Sequence, residues 1–166
     1  DCGIKMVAVH GRTRSQMYGG QADWAFIRNV RNAIKIPLIA NGDINTLEDA
    51  DKALELSGAD GIMIGRGSLG RPWFLRQAMD YLAHGVITPA PSVQKQRDIM
   101  LEHFDAMLTH YGAYAGLRIA RKHVGWYSKG LPRSSEFRAA VNTTDDAEKA
   151  RALIMKFYEP LLENAA

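Results

Sequence analysis

The first half of the chain alternates short apolar runs with stretches in which apolar side chains recur at helical spacing. The apolar runs predict three strands, at residues 6–9, 36–40 and 61–64. The helical spacing predicts helices over residues 21–34, 46–58 and 71–82, the second of them capped by Thr46 with Asp49 three residues later. Strands and helices that alternate with short connections are typical of a parallel sheet, so residues 1–91 are expected to fold as βαβαβα.

The second half of the chain contains only helical patterns. Residues 88–91 have the sequence Thr-Pro-Ala-Pro, which predicts a linker, and Ser92 is a candidate N-cap for the next helix. Pro132 and residues 142–144 interrupt the pattern that follows, and Thr144 is a candidate N-cap for the last helix. We therefore predict an α/β domain at residues 1–88 and a small all-helical domain at residues 92–166.

Composition limits the class of protein further. Apolar residues make up 46% and charged residues 23% of the chain, which suits a packed core. The single cysteine cannot form an internal disulfide, and no apolar run reaches the ~20 residues that span a bilayer. The histidines lack the spacing of a metal site. We expect a cytoplasmic protein with no metal and no membrane partner, and, because the chain begins at Asp1 just before a strand, a fragment of a longer protein.

Glycine and polar residues follow the second and third predicted strands. Residues 41–43 are Asn-Gly-Asp and residues 65–67 are Gly-Arg-Gly. Glycine lets backbone N–H groups approach a phosphate, Arg66 could pair with its oxygens, and a short helix beginning at Ser68 would add its positive end. Because the C-terminal ends of parallel strands in a βα barrel share one rim, these segments predict a site for a phosphate-bearing ligand. The alternative is a pair of ordinary glycine turns, with Asp43 capping local backbone.

A third candidate segment follows the first predicted strand. Residues 10–14 are His-Gly-Arg-Thr-Arg, and the strand end places His10 at the same rim. The imidazole could donate a hydrogen bond to a ligand carbonyl, and Arg12 and Arg14 could meet phosphate. A structural histidine in a basic loop is the alternative.

Positive charge is concentrated in one segment of the second half. Residues 116–133 contain five basic side chains and no acidic one, whereas the net charge of the whole chain is only +3. Arg118 and Lys122 lie four residues apart and so share a helix face. Trp126 and Tyr127 follow, and concentrated positive charge beside aromatic rings is typical of a surface that binds an RNA backbone. A solvated basic face with packed aromatic rings is the alternative.

Three sequence segments resemble the bacterial tRNA-dihydrouridine synthases. They are residues 9–14 (VHGRTR), 39–44 (IANGDI) and 63–73 (MIGRGSLGRPW). In the helical half, residues 117–118 (LR), 121–123 (RKH) and 126–127 (WY) resemble the tRNA-binding helix of that family. The likeness runs across essentially the whole chain in the expected order, and it is greatest to the B-type branch of the family.

The resemblance implies a fold, a reaction and roles for single residues. The family carries FMN in a (β/α)8 TIM barrel followed by a helical domain, so this chain would supply about the last three βα units and that domain. In the family, NADPH or NADH reduces the flavin, a hydride passes to C6 of a tRNA uracil, and a cysteine protonates C5. The implied cofactor-binding residues are His10 near the flavin or the uracil, Asn41, Gly42 and Asp43 at the ribityl–phosphate end, and Gly65 and Arg66 at the phosphate. The implied tRNA-binding residues are Arg12, Arg14, Arg118, Arg121, Lys122 and Lys129.

The chain departs from the family pattern in one respect that matters for chemistry. The catalytic cysteine of the family lies in an upstream Cys-Pro motif, and this sequence contains no Cys-Pro. We therefore predict no catalytic residue in this chain, and Cys2 is not expected to replace the missing one. A barrel without its first five units leaves sheet edges and an apolar face open. We expect the missing N-terminal half-barrel, or a second copy of the chain, to cover them, and the chain alone to be inactive.

Two other functions stay open at this point. One is an FMN- or phosphate-binding barrel enzyme that acts on a small metabolite, and the other is a non-catalytic RNA-binding fragment. The basic helical half argues against the first, because an enzyme for a small metabolite needs no RNA-binding surface.

Overall fold

The computed structural model describes residues 3–17 and 19–163, and the chain divides into two compact units. The sheet unit comprises Asp1–Ser68 and Pro72–Thr88. The helix unit comprises Leu69–Arg71 and Pro89–Ala166. Cys2, which is not expected to be catalytic, lies outside the described residues.

Three parallel strands and three α-helices form the described part of the sheet unit. The strands are β1 (Val7–His10), β2 (Leu38–Asn41) and β3 (Gly61–Met63), adjacent in that order. The helices are α1 (Trp24–Ala33), α2 (Leu47–Ser57) and α3 (Trp73–His84). The predicted alternation of strands and helices and the parallel sheet are confirmed.

The register of the strands assigns alternate side chains to a core face. Val7 pairs with Leu38, and Val9 pairs with Ala40. Leu38 and Ala40 are fully buried and form a cluster with Ile27 of α1. Helices α1 and α2 pack on this face, which gives the sheet unit its apolar core.

The opposite face of the sheet is open. Ala8, His10 and Met63 lie on it and are exposed, and the partly buried Ile39 and Asn41 lie between them. Parallel sheets are normally covered on both faces. This face of the sheet unit therefore resembles a surface that another layer of protein would cover.

Local hydrogen bonds set the first residues of α1 and α2. The Thr46 side chain accepts from Asp49 N at 3.0 Å, and the Asp49 side chain accepts from Thr46 N at 2.9 Å, which confirms the predicted cap of α2. Asp23 caps α1 by accepting from Phe26 N at 2.8 Å. The predicted start of this helix at residue 21 was too early, because the residues up to this cap belong to the loop.

The predicted helix beginning at Ser68 is wrong. Arg66–Ser68 form a single 3-10 turn, and α3 begins only at Trp73, after Pro72. Ser68 donates from both its backbone N and its Oγ to Gly65 O, at 3.0 and 2.9 Å. A single turn lacks the aligned peptide dipoles of a longer helix, so the expected contribution of a helix end to anion binding does not apply.

The described part of the helix unit contains four α-helices and no strand. They are α4 (Val93–Tyr111), α5 (Ala113–Tyr127), α6 (Ser134–Thr143) and α7 (Ala147–Glu163). Buried side chains on them include Met100, Phe104, Leu117, Val124 and Ile154. Across the described residues no helix is both long and apolar enough to cross a bilayer.

Two predicted caps of the helix unit have different outcomes. Ser92 caps α4 as predicted, since its side chain accepts from Lys95 N at 3.3 Å. The prediction that Thr144 caps the N-terminus of α7 is wrong, because Thr144 is the C-cap of α6. Asp146, directly before α7, accepts from Lys149 N at 3.0 Å instead. Aspartate is at least as good an N-cap as threonine, and it stands at the right position.

We expect Gly67→Ala to destabilise the sheet unit and Gly65→Ala to leave its stability nearly unchanged. A Cβ at Gly67 would lie 2.2 Å from the backbone oxygen of Ile44, whereas a Cβ at Gly65 would have no heavy atom within 4 Å. Overpacking of this kind lowers the free energy of unfolding by about 1–3 kcal/mol. Urea denaturation followed by far-UV circular dichroism measures both variants. Equal free energies of unfolding would contradict the close approach at Gly67.

Candidate functional site

The carboxyl ends of the three strands meet at one edge of the sheet. His10 pairs with Asn41, and Asn41 pairs with Met63. Asn41 Nδ2 donates to Met63 O at 2.7 Å, and Gly11 N donates to Asn41 O at 2.9 Å. The loops that follow the strands therefore begin side by side, and all six predicted cofactor-binding residues lie at this edge. We define the sheet rim as His10, Arg12, Asn41, Gly42, Asp43, Gly65 and Arg66.

The carboxylate of Asp43 connects the loops of the sheet rim. Both of its oxygens accept from the guanidinium of Arg12, with Oδ1 at 2.8 Å, and Oδ2 also accepts from Ala22 N at 2.9 Å. Arg66 forms a longer ion pair, 3.5 Å from Oδ1. Asp43 has a φ of 52°, a left-handed conformation that aspartate tolerates better than most residues. One carboxylate thus orients two arginines.

The surroundings lower the pKa of Asp43 below its ordinary value. Desolvation alone would raise this pKa, but the hydrogen bond from Arg12, the N–H of Ala22 and the positive charges of Arg12 and Arg66 together outweigh it. Because folding lowers the pKa, the stability that Asp43 contributes is complete above the unfolded-state value and is lost as the pH falls through the folded-state value.

Arg12 is buried, which argues against the predicted contact with tRNA. Its side chain is 4% exposed, and besides Asp43 it donates to Gly19 O at 3.2 Å and to Gly20 O at 2.7 Å. These bonds occupy most of the guanidinium donors, and little of the group can be reached by a phosphate. We reassign Arg12 as a structural cation that closes the loop between β1 and α1. Arg14 differs, because it is exposed in the turn that follows.

The ring of His10 lies against the backbone of Gly42. Gly42 has a φ of 119°, and a Cβ there would lie 2.8 Å from His10 Nδ1. His10 Nδ1 is 3.2 Å from Asn41 O. Because a carbonyl oxygen can only accept, Nδ1 carries a proton and Nε2 of the neutral ring is an acceptor. Donation to a ligand carbonyl, which the sequence suggested, would therefore need the protonated ring.

Trp24 supports the sheet rim, a role that the helical pattern of the sequence did not indicate. Its Nε1 donates to Gly42 O at 2.8 Å, and its side chain packs against both apolar clusters of the sheet unit. The helical spacing identified Trp24 only as an apolar position of α1. The signal in the sequence was the indole N–H, which needs a hydrogen-bond acceptor when the ring is buried.

Gly65 and Arg66 lie at the exposed part of the sheet rim. Gly65 is exposed, a Cβ placed on it would meet no heavy atom within 4 Å, and the Arg66 side chain is 56% exposed. Gly67 is buried against Ile44, whereas the backbone of Gly65 faces open space. A guanidinium beside an accessible glycine backbone is a donor set that suits an anion such as phosphate.

The basic side chains of α5 fall into two groups. Arg118 and Lys122 are exposed. The Arg121 side chain is only 17% exposed, and it donates to Asp145 Oδ1 at 2.8 Å and to Thr144 O. Arg121 therefore fixes the connection between α6 and α7, which argues against the predicted tRNA contact at this residue.

Helix α6 adds two polar side chains that the sequence did not indicate. A groove between α5 and α6, the α5–α6 groove, is lined by Arg118, Arg121, Lys122, Gly125, Trp126, Arg138 and Asn142. No acidic side chain of the described residues lines it. Arg138 was missed because it lies outside the basic segment 116–133. Lys129, the remaining predicted tRNA contact, is exposed just after α5.

Uncharged aromatic side chains fix α5 against α4. His103 Nδ1 lies 3.2 Å from the hydroxyl of Tyr127, and the rings of His103 and His123 meet edge to face with centroids 4.8 Å apart. Burial lowers the pKa of both histidines and raises the pKa of Tyr127 to about 12. Tyr127 is therefore packed and not placed to stack on RNA. In the part of the chain that the structure describes, no group of three or more His, Cys, Asp or Glu side chains could hold a metal ion.

Comparison with known proteins gives a consistent result along the chain. The family described as dihydrouridine synthase (Dus) matches residues 1–165. A probable tRNA-dihydrouridine synthase of Rickettsia bellii is 54% identical over 160 residues, which are 96% of this chain and 49% of that protein. A tRNA-dihydrouridine synthase B of Vibrio vulnificus is 48% identical over 166 residues, 100% of this chain and 50% of that protein. The synthase B of Xanthomonas campestris is 46% identical over 162 residues, 98% of this chain and 49% of that protein. The chain thus spans about half the length of the curated relatives it matches.

We expect Asp43→Asn to lower the free energy of unfolding by about 1.5–3 kcal/mol at neutral pH, because the change removes the charge that balances the buried Arg12. Asp80→Asn is a matched control. Asp80 pairs with the exposed Arg76 on the surface of α3, and its loss should change the free energy of unfolding by less than about 0.5 kcal/mol. Urea denaturation measures both. Equal destabilisation by the two variants would show that the Arg12–Asp43 pair contributes no more to the free energy of unfolding than an exposed ion pair.

Asp43→Asn also tests how the stability of the chain depends on pH. Because folding lowers the pKa of Asp43 from its ordinary value of 3.8, the wild-type chain should lose this contribution as the pH falls below about 4. Asp43→Asn cannot lose it, so the difference in stability between the two proteins should shrink on acidification. A constant difference between neutral pH and acid would contradict the lowered pKa.

Proposed function

Because the chain belongs to the dihydrouridine synthase family, we propose that it forms part of an FMN-dependent oxidoreductase that reduces uridine to 5,6-dihydrouridine in tRNA. The observation that carries the proposal is the sheet rim, where an exposed arginine and an open glycine backbone lie beside a histidine at the C-terminal edge of a parallel sheet. Ligands bind at this edge in βα barrels.

We infer that the sheet unit is the C-terminal part of a (β/α)8 barrel and that the helix unit contacts tRNA. The barrel is supported by helices on one face of the sheet, by the open opposite face, and by the chain's span of about half its relatives. The contact with tRNA is supported by the basic side chains that line the α5–α6 groove. In a closed barrel, the face that carries Ala8 and Met63 would line the interior. The remaining half of the barrel would then cover this face, and a second copy of the chain is the alternative cover.

The sheet rim provides groups that suit the phosphate of FMN. Arg66 supplies positive charge and Gly65 supplies accessible backbone. The role of Asp43 in this proposal differs from the one that the resemblance implied. Its oxygens already accept from Arg12 and Ala22, so it orients the arginines and does not accept from ribityl hydroxyls. Asn41, which is partly buried, would approach the ligand between these groups, whereas Gly42 is buried against His10 and Ala22 and supports the rim from within.

The residues of the chain would orient the reactants and would not supply the proton. When bound, reduced FMN supplies the hydride for the uracil ring, and NADPH or NADH is the reductant that we propose. His10 offers an acceptor at Nε2 when neutral and a donor when protonated, which suits a contact with the flavin or the uracil. We propose that the proton donor is a cysteine in the other half of the enzyme, so the chain alone is expected to lack turnover.

We expect the chain to bind FMN at least about 10-fold more tightly than riboflavin, because only FMN carries the phosphate that Arg66 would contact. Arg66→Ala should abolish this preference. Arg76→Ala, which removes another exposed arginine that pairs with one aspartate, is the matched control and should retain it. Quenching of flavin fluorescence on titration measures each affinity. Equal affinities of the wild-type chain for FMN and riboflavin would rule out a phosphate site at the sheet rim.

A chimaera tests the reaction itself. The chain would replace the matching half of the Vibrio vulnificus relative, since the match covers all of the chain and 50% of that protein. We expect the chimaera to form dihydrouridine in an unmodified tRNA transcript, as measured by mass spectrometry of the nucleosides. The chimaera with Arg66→Ala should hold less flavin and form less product. A folded chimaera that binds flavin and the transcript but forms no dihydrouridine would contradict the proposed function.

A further inference from the structure

Four side chains at successive four-residue intervals form a stripe along α5. They are Tyr114, Arg118, Lys122 and Trp126, and we call them the α5 stripe. Residues four apart share a helix face and are separated by about 6 Å along the axis, so the stripe is about 18 Å long. Its ends are aromatic and its middle is cationic.

Each cation of the α5 stripe lies near the aromatic ring beside it. The guanidinium of Arg118 is 5.6 Å from the ring centroid of Tyr114, and its Nη1 donates to the Tyr114 hydroxyl at 3.2 Å. Lys122 Nζ is 6.0 Å from the ring of Trp126. The two rings differ in their exposure to solvent. Trp126 is partly buried and meets the ring of His123 edge to face at 4.9 Å, whereas Tyr114 is 78% exposed.

Arg118, Lys122 and Trp126 of the α5 stripe line the α5–α6 groove on one side, and Arg138 and Asn142 of α6 line it on the other. Tyr114 lies at the end of the stripe, outside the groove. The Arg138 side chain lies close to α5, since a Cβ on Gly125 would be in ordinary contact with Arg138 Cδ at 3.6 Å. Besides Arg121, which pairs with Asp145, the cations of Arg118, Lys122 and Arg138 line this concave surface, and no acidic side chain of the described residues lines it. Such a surface attracts a chain of negative charges.

We propose that the α5 stripe binds an unpaired segment of RNA, with a base stacked on Tyr114 and the flanking phosphates held by Arg118, Lys122 and Arg138. The inference rests on the proposed function, which takes tRNA as the RNA that carries the segment. It extends that function by giving this surface a preference for unpaired nucleotides and by assigning the preference to Tyr114.

The reason for the preference is the combination of an exposed ring with adjacent cations. Stacking on a side chain needs an open base face, which an RNA duplex hides between neighbouring base pairs. Arginine and lysine alone would hold paired and unpaired phosphates with little distinction. The cation–π contact with Arg118 also keeps the Tyr114 ring at the edge of the phosphate-binding surface.

Fluorescence anisotropy with two labelled probes tests the inference on the full chain. The probes are a single-stranded oligouridylate of about 10 nucleotides and an RNA duplex of the same length. We expect Tyr114→Ala to weaken binding of the oligouridylate by about 5-fold or more and binding of the duplex by less than about 2-fold. Tyr114→Phe keeps the ring and should bind both probes like the wild type. Tyr111→Ala, which removes another exposed tyrosine, at the end of α4, is the matched control and should change neither.

The variants Arg118→Ala and Lys122→Ala test the phosphate contacts separately. Each should weaken binding of both probes and of an unmodified tRNA transcript, and each should reduce the dependence of log affinity on log salt by about 1. One outcome would overturn the stacking inference alone. In it, Arg118→Ala and Lys122→Ala weaken binding of the transcript, but Tyr114→Ala affects binding of both probes equally or not at all. The assignment of this surface to tRNA would then be retained. If transcript binding is unchanged in both cationic variants, the assignment of this surface to tRNA is overturned as well.

Discussion

The carboxylate of Asp43 is the group on which the arrangement of the sheet rim depends. A guanidinium as buried as that of Arg12 is tolerated only when its charge is balanced and its donors are satisfied. Asp43 balances the charge and accepts two of the four hydrogen bonds that the guanidinium donates. The same carboxylate accepts from Ala22 before α1 and attracts Arg66 after β3. Three loops are therefore held in register by hydrogen bonds and charge, outside the apolar core, and the exposed groups of the rim are positioned by buried ones.

Helix α5 has one face that packs inside the helix unit and one face that is exposed. Its buried face carries Leu117 and Val124, and its exposed face carries Tyr114, Arg118 and Lys122 of the α5 stripe. Arg121 lies between the two faces and holds the connection between α6 and α7. The number of basic residues in a segment is thus a poor measure of its capacity to bind RNA. Here one arginine of the segment serves the fold, and Arg138 of α6 joins the surface from elsewhere in the sequence.

The features that could be predicted from the sequence are those that depend on neighbours along the chain. Strands, most helices and the caps at Thr46 and Ser92 follow from periodicity and from side chains within one turn. The family was identified from three short motifs, and the cofactor-binding residues predicted within them do lie at one edge of the sheet. The sequence did not predict which residues of the rim are exposed to a ligand and which serve the structure. The partners Arg12 and Asp43 are 31 positions apart, and Trp24 and Gly42 are 18 apart, so no local pattern shows that Arg12 and Trp24 serve the structure.

The open face of the sheet has a thermodynamic consequence. Whatever covers Ala8 and Met63 binds the folded sheet unit and has no equivalent surface to bind on the unfolded chain. Its binding free energy is then added to the stability of the unit, by mass action. Stability gained in this way can offset locally unfavourable backbone, such as the left-handed conformation of Asp43. A change in how tightly the covering surface binds would therefore also change how much strain the rim can retain.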